Sequence, residues 1–121
     1  MSARATHRDL AAWREAMRLV KIVYRETAGF PREELFGLTS QIRRCAISIP
    51  SNIAEGAARN SPGELMQFLG ISCGSLAELE TQLEIAVELG FLKPNASAIE
   101  LTSRVGMLVR LLRKSLRAPA N

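Results

Sequence analysis

The sequence predicts an all-α fold, an antiparallel up-down-up-down four-helix bundle. Apolar residues recur at steps of three and four along four stretches, and no stretch shows the alternation of a strand. Short segments containing glycine or proline separate the stretches. Because short connections make successive helices antiparallel, helices of roughly 20 to 30 residues are expected to pack side by side. Residues 1–121 are expected to form a single domain with a bundle core at about 7–117.

The first helix is predicted to begin near Thr6 to Asp9, a spacing that suits a capping box. The apolar residues that follow it at helical spacing are expected to face the core. They are Leu10, Trp13, Met17, Val20 and Tyr24. The segment Gly29-Phe30-Pro31 is expected to end this helix, because glycine accepts the left-handed C-terminal turn and proline cannot extend the helix.

The second helix is predicted to have Pro31 at its first position, where a missing N–H is harmless. Its expected core stripe is Leu35, Leu38, Ile42, Cys45 and Ile49. Pro50 removes a backbone hydrogen bond, so the helix either ends or kinks there. A kink is favoured, because Ile53, Ala57 and Ala58 continue the apolar pattern.

The third helix has the clearest start, Ser61-Pro62-Gly63-Glu64, in which Ser61 can cap and Glu64 can close a capping box. Its core stripe is predicted at helical steps of four and three, namely Leu65, Leu69, Ser72, Leu76, Leu79, Leu83 and Ala86. A second set of apolar residues lies off this stripe: Met66, Phe68, Ile71, Ala77, Ile85 and Val87. A monomer needs only one apolar face per helix, so a homo-oligomer is expected.

The fourth helix is expected to follow Gly90 and Pro94 and to begin at Asn95 or Ser97, with Glu100 as the capping partner of Ser97. Its predicted stripe is Leu101, Val105, Leu108 and Leu112, and it is expected to fray at Ala118-Pro119.

Composition and residue types argue against several functional classes. Hydrophobic residues make up 47% of the chain, which excludes a disordered polymer, and no apolar run predicts a membrane span or secretory signal. A cytoplasmic protein with two free cysteines, Cys45 and Cys73, is therefore expected. The single histidine, His7, has no second ligand at metal spacing. We expect no enzyme activity, no metal and no cofactor, with Ser72 and Ser75 serving helix packing.

Charge is distributed unevenly among the helices. Residues 60–92 contain five glutamates, Glu64, Glu78, Glu80, Glu84 and Glu88, and no lysine or arginine. Basic residues of the first helix share one face over roughly 16 Å. They are Arg14, Arg18, Lys21 and Arg25. The last helix carries Arg104 and four further basic residues, Arg110, Arg113, Lys114 and Arg117.

These basic stripes have three interpretations. The first and last helices are neighbours in an up-down bundle, so their stripes are expected to merge into a surface that follows a phosphate backbone of RNA or DNA. The predicted contacts are the four residues of the first helix with Arg110, Arg113, Lys114 and Arg117. Alternatively the charges are an ordinary solvated surface, or they meet the acidic third helix of another subunit.

Two neighbouring segments form a recognisable signature. They read Gly37-Leu38-Thr39-Ser40-Gln41-Ile42-Arg43-Arg44-Cys45-Ala46 and Ser48-Ile49-Pro50-Ser51-Asn52-Ile53-Ala54-Glu55-Gly56. Further matches are Trp13, Phe30-Pro31 and the stretch Leu76-x-Glu78-Leu79-x-Thr81-Gln82-Leu83. Over residues 9–92 the chain thus resembles the bacterial four-helix bundle proteins related to those encoded by intervening sequences in 23S ribosomal RNA genes. Cys45 stands where that family leads us to expect alanine, and the last helix agrees only in general character.

The resemblance implies a four-helix fold and a ring-shaped homopentamer, as in the related accessory proteins of diversity-generating retroelements. Those accessory proteins look like partners of RNA and of a reverse transcriptase. By this analogy, RNA, a reverse transcriptase and further copies of the chain are the expected partners.

The signature also has a physical interpretation. Pro50 frees a carbonyl one turn earlier, which Ser48, Ser51 and Asn52 are placed to satisfy. Glu55 is expected to pair with Arg43 or Arg44, and Gly56 to allow a close helix contact or the bend. A buried polar network that fixes the bundle register is preferred over a ligand pocket at the kink.

The leading functional hypothesis is a homo-oligomer whose basic stripes contact RNA through phosphates. Binding is expected to tolerate sequence changes, because Tyr24 and Trp13, the residues suited to base stacking, are assigned to the core. The alternative is a protein–protein scaffold with no nucleic-acid role. An enzyme with a pocket at Pro50 is a third class, which would require turnover that depends on Asn52 or Glu55.

Overall fold

The computed structural model describes residues 6–117, which form four α-helices and no strand. After a short 3-10 turn at His7–Asp9, helix α1 spans Ala11–Thr27. A second 3-10 turn at Arg32–Glu34 precedes α2, and the remaining helices follow after short connections: α2 at Leu38–Ala57, α3 at Pro62–Glu88 and α4 at Ser97–Arg117. The all-helical prediction with four helices is thereby confirmed, whereas the predicted tail at Ala118-Pro119 lies outside the described residues.

The helices pack as a closed ring of neighbours around one core. Helix α1 contacts α2 and α4, α3 contacts the same two helices, and within residues 6–117 no Cα atoms of the diagonal pairs lie within 8 Å of each other. The most extensive contact joins α2 to α3. All four helices contribute fully buried side chains to the core, including Leu19, Ile49, Leu79 and Val105. Across the described residues, no helix has a sufficiently long apolar stretch to cross a membrane.

The start of the first helix combines the predicted capping box with an unpredicted 3-10 turn. The Thr6 hydroxyl accepts a hydrogen bond from the Arg8 N–H (3.2 Å), and the Asp9 carboxylate accepts one from the Thr6 N–H (2.8 Å). The α-helix itself begins only at Ala11, after Leu10 has adopted an extended backbone conformation. The capping box thus fixes the entry to α1 without being its first turn.

The predicted core face of α1 is offset by about one residue from the most buried positions: Leu10, Trp13 and Val20 pack against the core, but Met17 and Tyr24 do not. The helix buries Ala12, Ala16, Leu19, Val23 and Thr27, whereas Met17 is 46% exposed and Tyr24 is 41% exposed. An offset of one residue rotates a helical face by about 100°. The two alanines explain the error, because small side chains let a neighbouring helix approach closely but give little hydrophobic signal in a sequence.

The second helix begins later than predicted. Pro31 precedes the 3-10 turn instead of opening the helix, and Leu35, assigned to the core, is 47% exposed. The backbone of Gly37 leaves the helical region (φ −115°, ψ −114°), so α2 begins at Leu38. From there the prediction for Ile42, Cys45 and Ile49 is confirmed, since all three are buried.

Helix α3 matches its predicted core stripe most closely and has the predicted Ser61 cap, although the Glu64 side chain does not close the predicted capping box. The Ser61 hydroxyl accepts the Glu64 N–H (3.2 Å), and every stripe residue from Leu69 onward is buried. At the other end Gly90 adopts a φ of +80°. There the Phe91 N–H bonds the Ala86 carbonyl (2.8 Å) and the Gly90 N–H bonds the Val87 carbonyl (3.0 Å), the pairing of a Schellman motif.

Helix α4 begins at Ser97, one of the two predicted positions, but its cap comes from another helix. The Glu26 carboxylate, near the end of α1, accepts the Ser97 and Ala98 N–H groups, each at 2.9 Å. This carboxylate replaces the predicted capping role of Glu100. A carboxylate at a helix N-terminus both satisfies free N–H donors and complements the positive end of the dipole.

Candidate nucleic-acid interface and signature seam

The basic stripe of α1 lies on the surface as predicted. Arg14, Arg18, Lys21 and Arg25 are all exposed and point away from the core. Two of them have polar partners on their own segment. Arg14 donates to the Arg8 carbonyl (2.9 Å), and the guanidinium of Arg18 bonds the Glu15 carboxylate (2.9 Å). Surface arginines held this way remain open to solvent on their outer side and are available to an anionic partner.

The basic residues of α1 and α4 meet at one groove. Arg18, Arg104 and Arg110 line this groove, which has a volume of about 690 Å³ and also exposes Glu100. The Glu15 carboxylate lies between the helices and pairs with both Arg18 (2.9 Å) and Arg104 (3.1 Å). Arg104, which was not among the predicted contacts, is therefore central to this surface. Arg104 lies near Arg18 because of the way α4 packs against α1, so a motif within either helix could not have predicted this contact.

The predicted contacts on α4 do not all share that groove. Arg110, Lys114 and Arg117 are exposed. Arg113 instead lies half-buried against α3, with Nη1 3.9 Å from the Cys73 sulfur. Arg18 and Arg110 line this groove together, whereas Arg113 does not line it and instead shares a second cavity with Arg110.

The acidic surface belongs to α3. Its five glutamates are exposed, and Glu80, Glu84 and Glu88 line a cavity of about 270 Å³ beside the start of α4. Within residues 6–117 no group of three or more histidine, cysteine, aspartate or glutamate side chains is placed to hold a metal ion. The acidic α3 lies diagonally opposite the basic stripe of α1 but packs against the basic α4, where Glu80 lines a cavity with Arg110 and Arg113.

Tyr24 is an aromatic residue at the edge of the basic stripe. The guanidinium of Arg43 lies 4.5 Å from its ring centroid, and Arg43 also donates to the Thr27 hydroxyl (2.9 Å) and the Tyr24 carbonyl (3.3 Å). The assignment of Tyr24 to the core was wrong, because its side chain is 41% exposed, with Arg43 covering one face of the ring. Arg43, for its part, ties α2 to the end of α1.

The signature segment forms a polar seam between α2 and α3. Helix α2 continues through Pro50, which is buried. The Ser48 Oγ lies 2.6 Å from the Cys45 carbonyl and 2.7 Å from the Ser75 Oγ. Since a hydroxyl has one proton, Ser48 donates to the carbonyl and accepts from Ser75. Ser72 crosses the same interface and donates to the Ile49 carbonyl (3.0 Å).

Several details of the predicted network are wrong. The carbonyl that loses its partner at Pro50 belongs to Ala46. Ser48 instead bonds the Cys45 carbonyl, and Asn52 donates to the Ser48 carbonyl (2.8 Å).

The outer residues of the segment also differ from the prediction. Ser51 and Arg44 are exposed. Glu55 pairs with Arg59 (3.0 Å) rather than with Arg43 or Arg44, because a partner one turn away on the same face is nearer than one three turns away.

Gly56 allows the closest approach of α2 to α3. A methyl group added at this position would lie 2.7 Å from the Phe68 Cβ and 3.1 Å from the Leu65 Cδ1. Such separations are shorter than van der Waals contact, so the two helices would have to move apart. The predicted close contact at Gly56 is confirmed. It sets the distance between α2 and α3 along the polar seam.

Cys45 is a buried thiol of the same seam. Its sulfur lies 3.0 Å from the Ser75 carbonyl. Burial, assisted by the negative charge of Glu78 and a hydrogen bond to it, raises the pKa of Cys45 to about 12. Cys45 and the half-buried Cys73 are both free thiols, as predicted. Cys45 is therefore an unreactive packing residue at neutral pH.

These observations define a small helical-bundle protein with basic residues on α1 and α4, acidic residues on α3 and a glycine-containing polar seam between α2 and α3. The family model of the 23S rRNA-intervening sequence protein matches residues 8–114, and the chain belongs to this family. The match confirms the resemblance and extends it through most of α4, beyond the 9–92 range that the motifs covered. Among curated proteins, none matches the chain.

Proposed function

We propose that this protein is a non-enzymatic, homo-oligomeric helical bundle that associates with RNA or another structured nucleic acid through α1 and α4. The observation that carries the proposal is the groove at which Arg18, Arg104 and Arg110 meet, flanked by the exposed stripe of α1. Two helices with aligned cations offer a track for a phosphate backbone. The family name, which refers to a sequence within 23S rRNA, agrees with an RNA context.

The arginines of the groove are suited to phosphate contacts. The side chains of Arg18 and Arg104 are 61% and 63% exposed, even though both pair with Glu15. The Glu15 carboxylate is only 16% exposed, and the N–H groups of Arg18 and Arg104 that it does not use are open to a phosphate on the solvent side. Binding would depend on phosphate and sugar contacts and would tolerate sequence changes, with Tyr24 as a partly exposed aromatic ring at the edge.

The proposal includes an antiparallel up-down-up-down order of the helices. Glu15 pairs with Arg104, while Glu26, further along α1, contacts Ser97, earlier in α4. In the same way Ile49 contacts Ser72, while Gly56, further along α2, approaches Phe68, earlier in α3. Both pairings are expected only if neighbouring helices run in opposite directions. This order makes α1 and α4 sequentially distant neighbours that share the basic surface.

Assembly is proposed from exposed apolar residues on opposite helices. Ile71 and Ile85 are exposed on α3, and Met17 is exposed on α1. Large apolar side chains left in water favour burial against another subunit. The family resemblance makes a homopentamer the expected form. A cytoplasmic location is proposed with it, since two free thiols suit a reducing compartment.

The proposal is tested by replacing Arg14, Arg18, Lys21 and Arg25 together with glutamine. We expect loss of binding to a structured RNA hairpin, measured by fluorescence anisotropy, with unchanged helicity and oligomeric mass. The matched control replaces four cations outside α1 and α4 with glutamine: Arg32, Arg44, Arg59 and Lys93. The control has the same net charge and should retain binding, so equal loss in both variants would contradict a specific basic surface.

A protein–protein scaffold is the alternative, favoured by the complementary charges of α1 and α3. In that case the basic surface of one subunit meets the acidic surface of the next, and no nucleic acid is involved. By the same family resemblance, a reverse transcriptase is a candidate protein partner. The scaffold predicts that the α1 quadruple variant, or raised salt, dissociates the oligomer, which gel filtration with light scattering would show directly.

A further inference from the structure

A cavity of about 290 Å³ lies between α3 and α4, next to the basic groove, with which it shares Arg110. Two arginines line it, Arg110 and Arg113, together with small polar residues such as Ser103 and Cys73. Each guanidinium lies over a glycine. The position of an added Cβ is 3.1 Å from Arg110 Nη1 at Gly106 and 3.5 Å from Arg113 Nη2 at Gly70. The glycines therefore let both side chains lie close to the helix backbones.

The charge of this cavity is incompletely balanced. Among residues 6–117 neither Arg110 nor Arg113 has a carboxylate oxygen within ion-pairing distance. The Nε of Arg113 is buried and has no hydrogen-bond acceptor, an unfavourable state for a charged donor. One acidic residue, Glu80, also lines the cavity. Two guanidiniums and one carboxylate leave a formal charge of +1.

We propose that this cavity binds a single phosphodiester group, with Arg110 and Arg113 as its ligands. Guanidinium groups present paired N–H donors that match the oxygens of a phosphate. A phosphodiester carries one negative charge, which balances the net charge of the cavity, whereas a phosphomonoester carries nearly two. The natural source of the group, a polynucleotide backbone, rests on the proposed function, but the site itself can be tested with a free phosphodiester.

The direct test is an NMR titration of the arginine Nε–Hε resonances of the intact chain. Dimethyl phosphate, inorganic phosphate and chloride are added at matched ionic strength. We expect saturable shifts at Arg110 and Arg113 with dimethyl phosphate, and none with chloride. Absence of saturation, or equal shifts at Arg32, would overturn the site. Tighter binding of inorganic phosphate would overturn the phosphodiester assignment and indicate a free phosphomonoester as the ligand.

A variant that changes no charge tests the role of the glycine. In Gly106→Ala the new methyl group would lie 3.1 Å from Arg110 Nη1, so the flexible guanidinium must shift slightly, which it can do without unfolding the helix. We expect about a twofold loss of dimethyl phosphate affinity with no fall in melting temperature. The control is Gly74→Ala in α3, where no heavy atom lies within 4 Å of the added Cβ. Retained affinity in Gly106→Ala would contradict the proposed positioning.

Two further variants separate this inference from the proposed function. Arg113→Gln should lose at least tenfold in dimethyl phosphate affinity, and Lys93→Gln, on the loop before α4, should lose none. If dimethyl phosphate binds as predicted but RNA does not bind the chain, the site stands and the proposed function fails. If RNA binds equally well to wild type, Gly106→Ala and Arg113→Gln, the proposed function stands and the site fails.

Discussion

The α2–α3 seam and the α1–α4 groove are both helix–helix interfaces, but small residues form the seam and long charged residues line the groove. At the seam, Gly56 and two buried or half-buried serines bring the backbones close together. At the groove, long charged side chains keep a volume of about 690 Å³ open, and Glu15 joins Arg18 to Arg104. The seam excludes solvent, whereas the groove faces it.

This difference indicates that fold stability and partner binding depend on separate helices. Close packing and buried hydrogen bonds are strongly sensitive to small changes of volume. Exposed ion pairs contribute little to stability and can exchange one anionic partner for another. Substitutions at the seam should therefore mainly lower the unfolding free energy. Substitutions at the groove should mainly weaken partner binding.

The largest effect is expected for Gly56→Ala. The added methyl group would lie 2.7 Å from the Phe68 Cβ, a contact that only a shift of α2 from α3 can relieve. Overpacking of this kind destabilises by about 1–3 kcal/mol. The control Gly74→Ala has free space and should stabilise by up to about 1 kcal/mol through helix propensity. Urea unfolding measures the change in unfolding free energy for both variants. A change of the same sign in both would contradict the proposed role of the seam.

A smaller effect is expected for Glu26→Ala, which removes the cap of α4. The carboxylate accepts the Ser97 and Ala98 N–H groups at 2.9 Å, and caps of this kind contribute about 0.5–2 kcal/mol. Glu33→Ala, on an exposed turn, serves as the control and should change the unfolding free energy by less than about 0.5 kcal/mol. If Glu26→Ala were as stable as the control, the hydrogen bonds from Ser97 and Ala98 to Glu26 would not contribute to stability.

The next effect depends on pH and on the thiol of Cys45. In the folded protein its pKa is raised from 9.0 to about 12, so between these values only the unfolded state loses the proton. Stability is therefore complete below pH 9 and falls as the pH rises, by about 1 kcal/mol between pH 9 and pH 10. Urea unfolding of wild type and Cys45→Ala at several pH values isolates this contribution. Identical pH dependence in the two proteins would refute it.

The smallest change in stability is expected at the basic stripe. Replacing Arg14, Arg18, Lys21 and Arg25 with glutamine should alter the unfolding free energy by less than about 1 kcal/mol, because all four side chains are exposed. Thermal and urea unfolding check this expectation. A loss comparable to that of Gly56→Ala would mean that the stripe serves the fold or the assembly rather than a partner.

The sequence was informative wherever a local signal set the structure. Helix α3 begins at a strong cap, keeps a large apolar stripe and ends at a glycine, and each feature was predicted from the chain. Helix α1 lacks such a stripe on its buried face, since alanines occupy two of the buried positions. Its exposed Met17 and Tyr24 gave the stronger but misleading hydrophobic signal.

The site was predicted only in part, because its geometry depends on tertiary packing. The stripe of α1 follows from helical spacing alone. The pairing of Arg104 with Glu15 and the contact of Arg113 with Cys73 depend on how α4 is rotated against its neighbours. The capping of α4 by Glu26 joins residues 71 positions apart. Residue spacing within a single helix therefore cannot predict these contacts between helices.

The most direct test of the account is a salt titration of binding to a structured RNA hairpin, with oligomeric mass followed in the same buffers. The account predicts binding at low salt, a linear fall of log affinity with log salt, and a constant mass. The slope should correspond to about 4 to 8 phosphate contacts. Absence of binding at low salt, or dissociation of the oligomer as salt rises, would contradict it and assign the basic helices to subunit contacts.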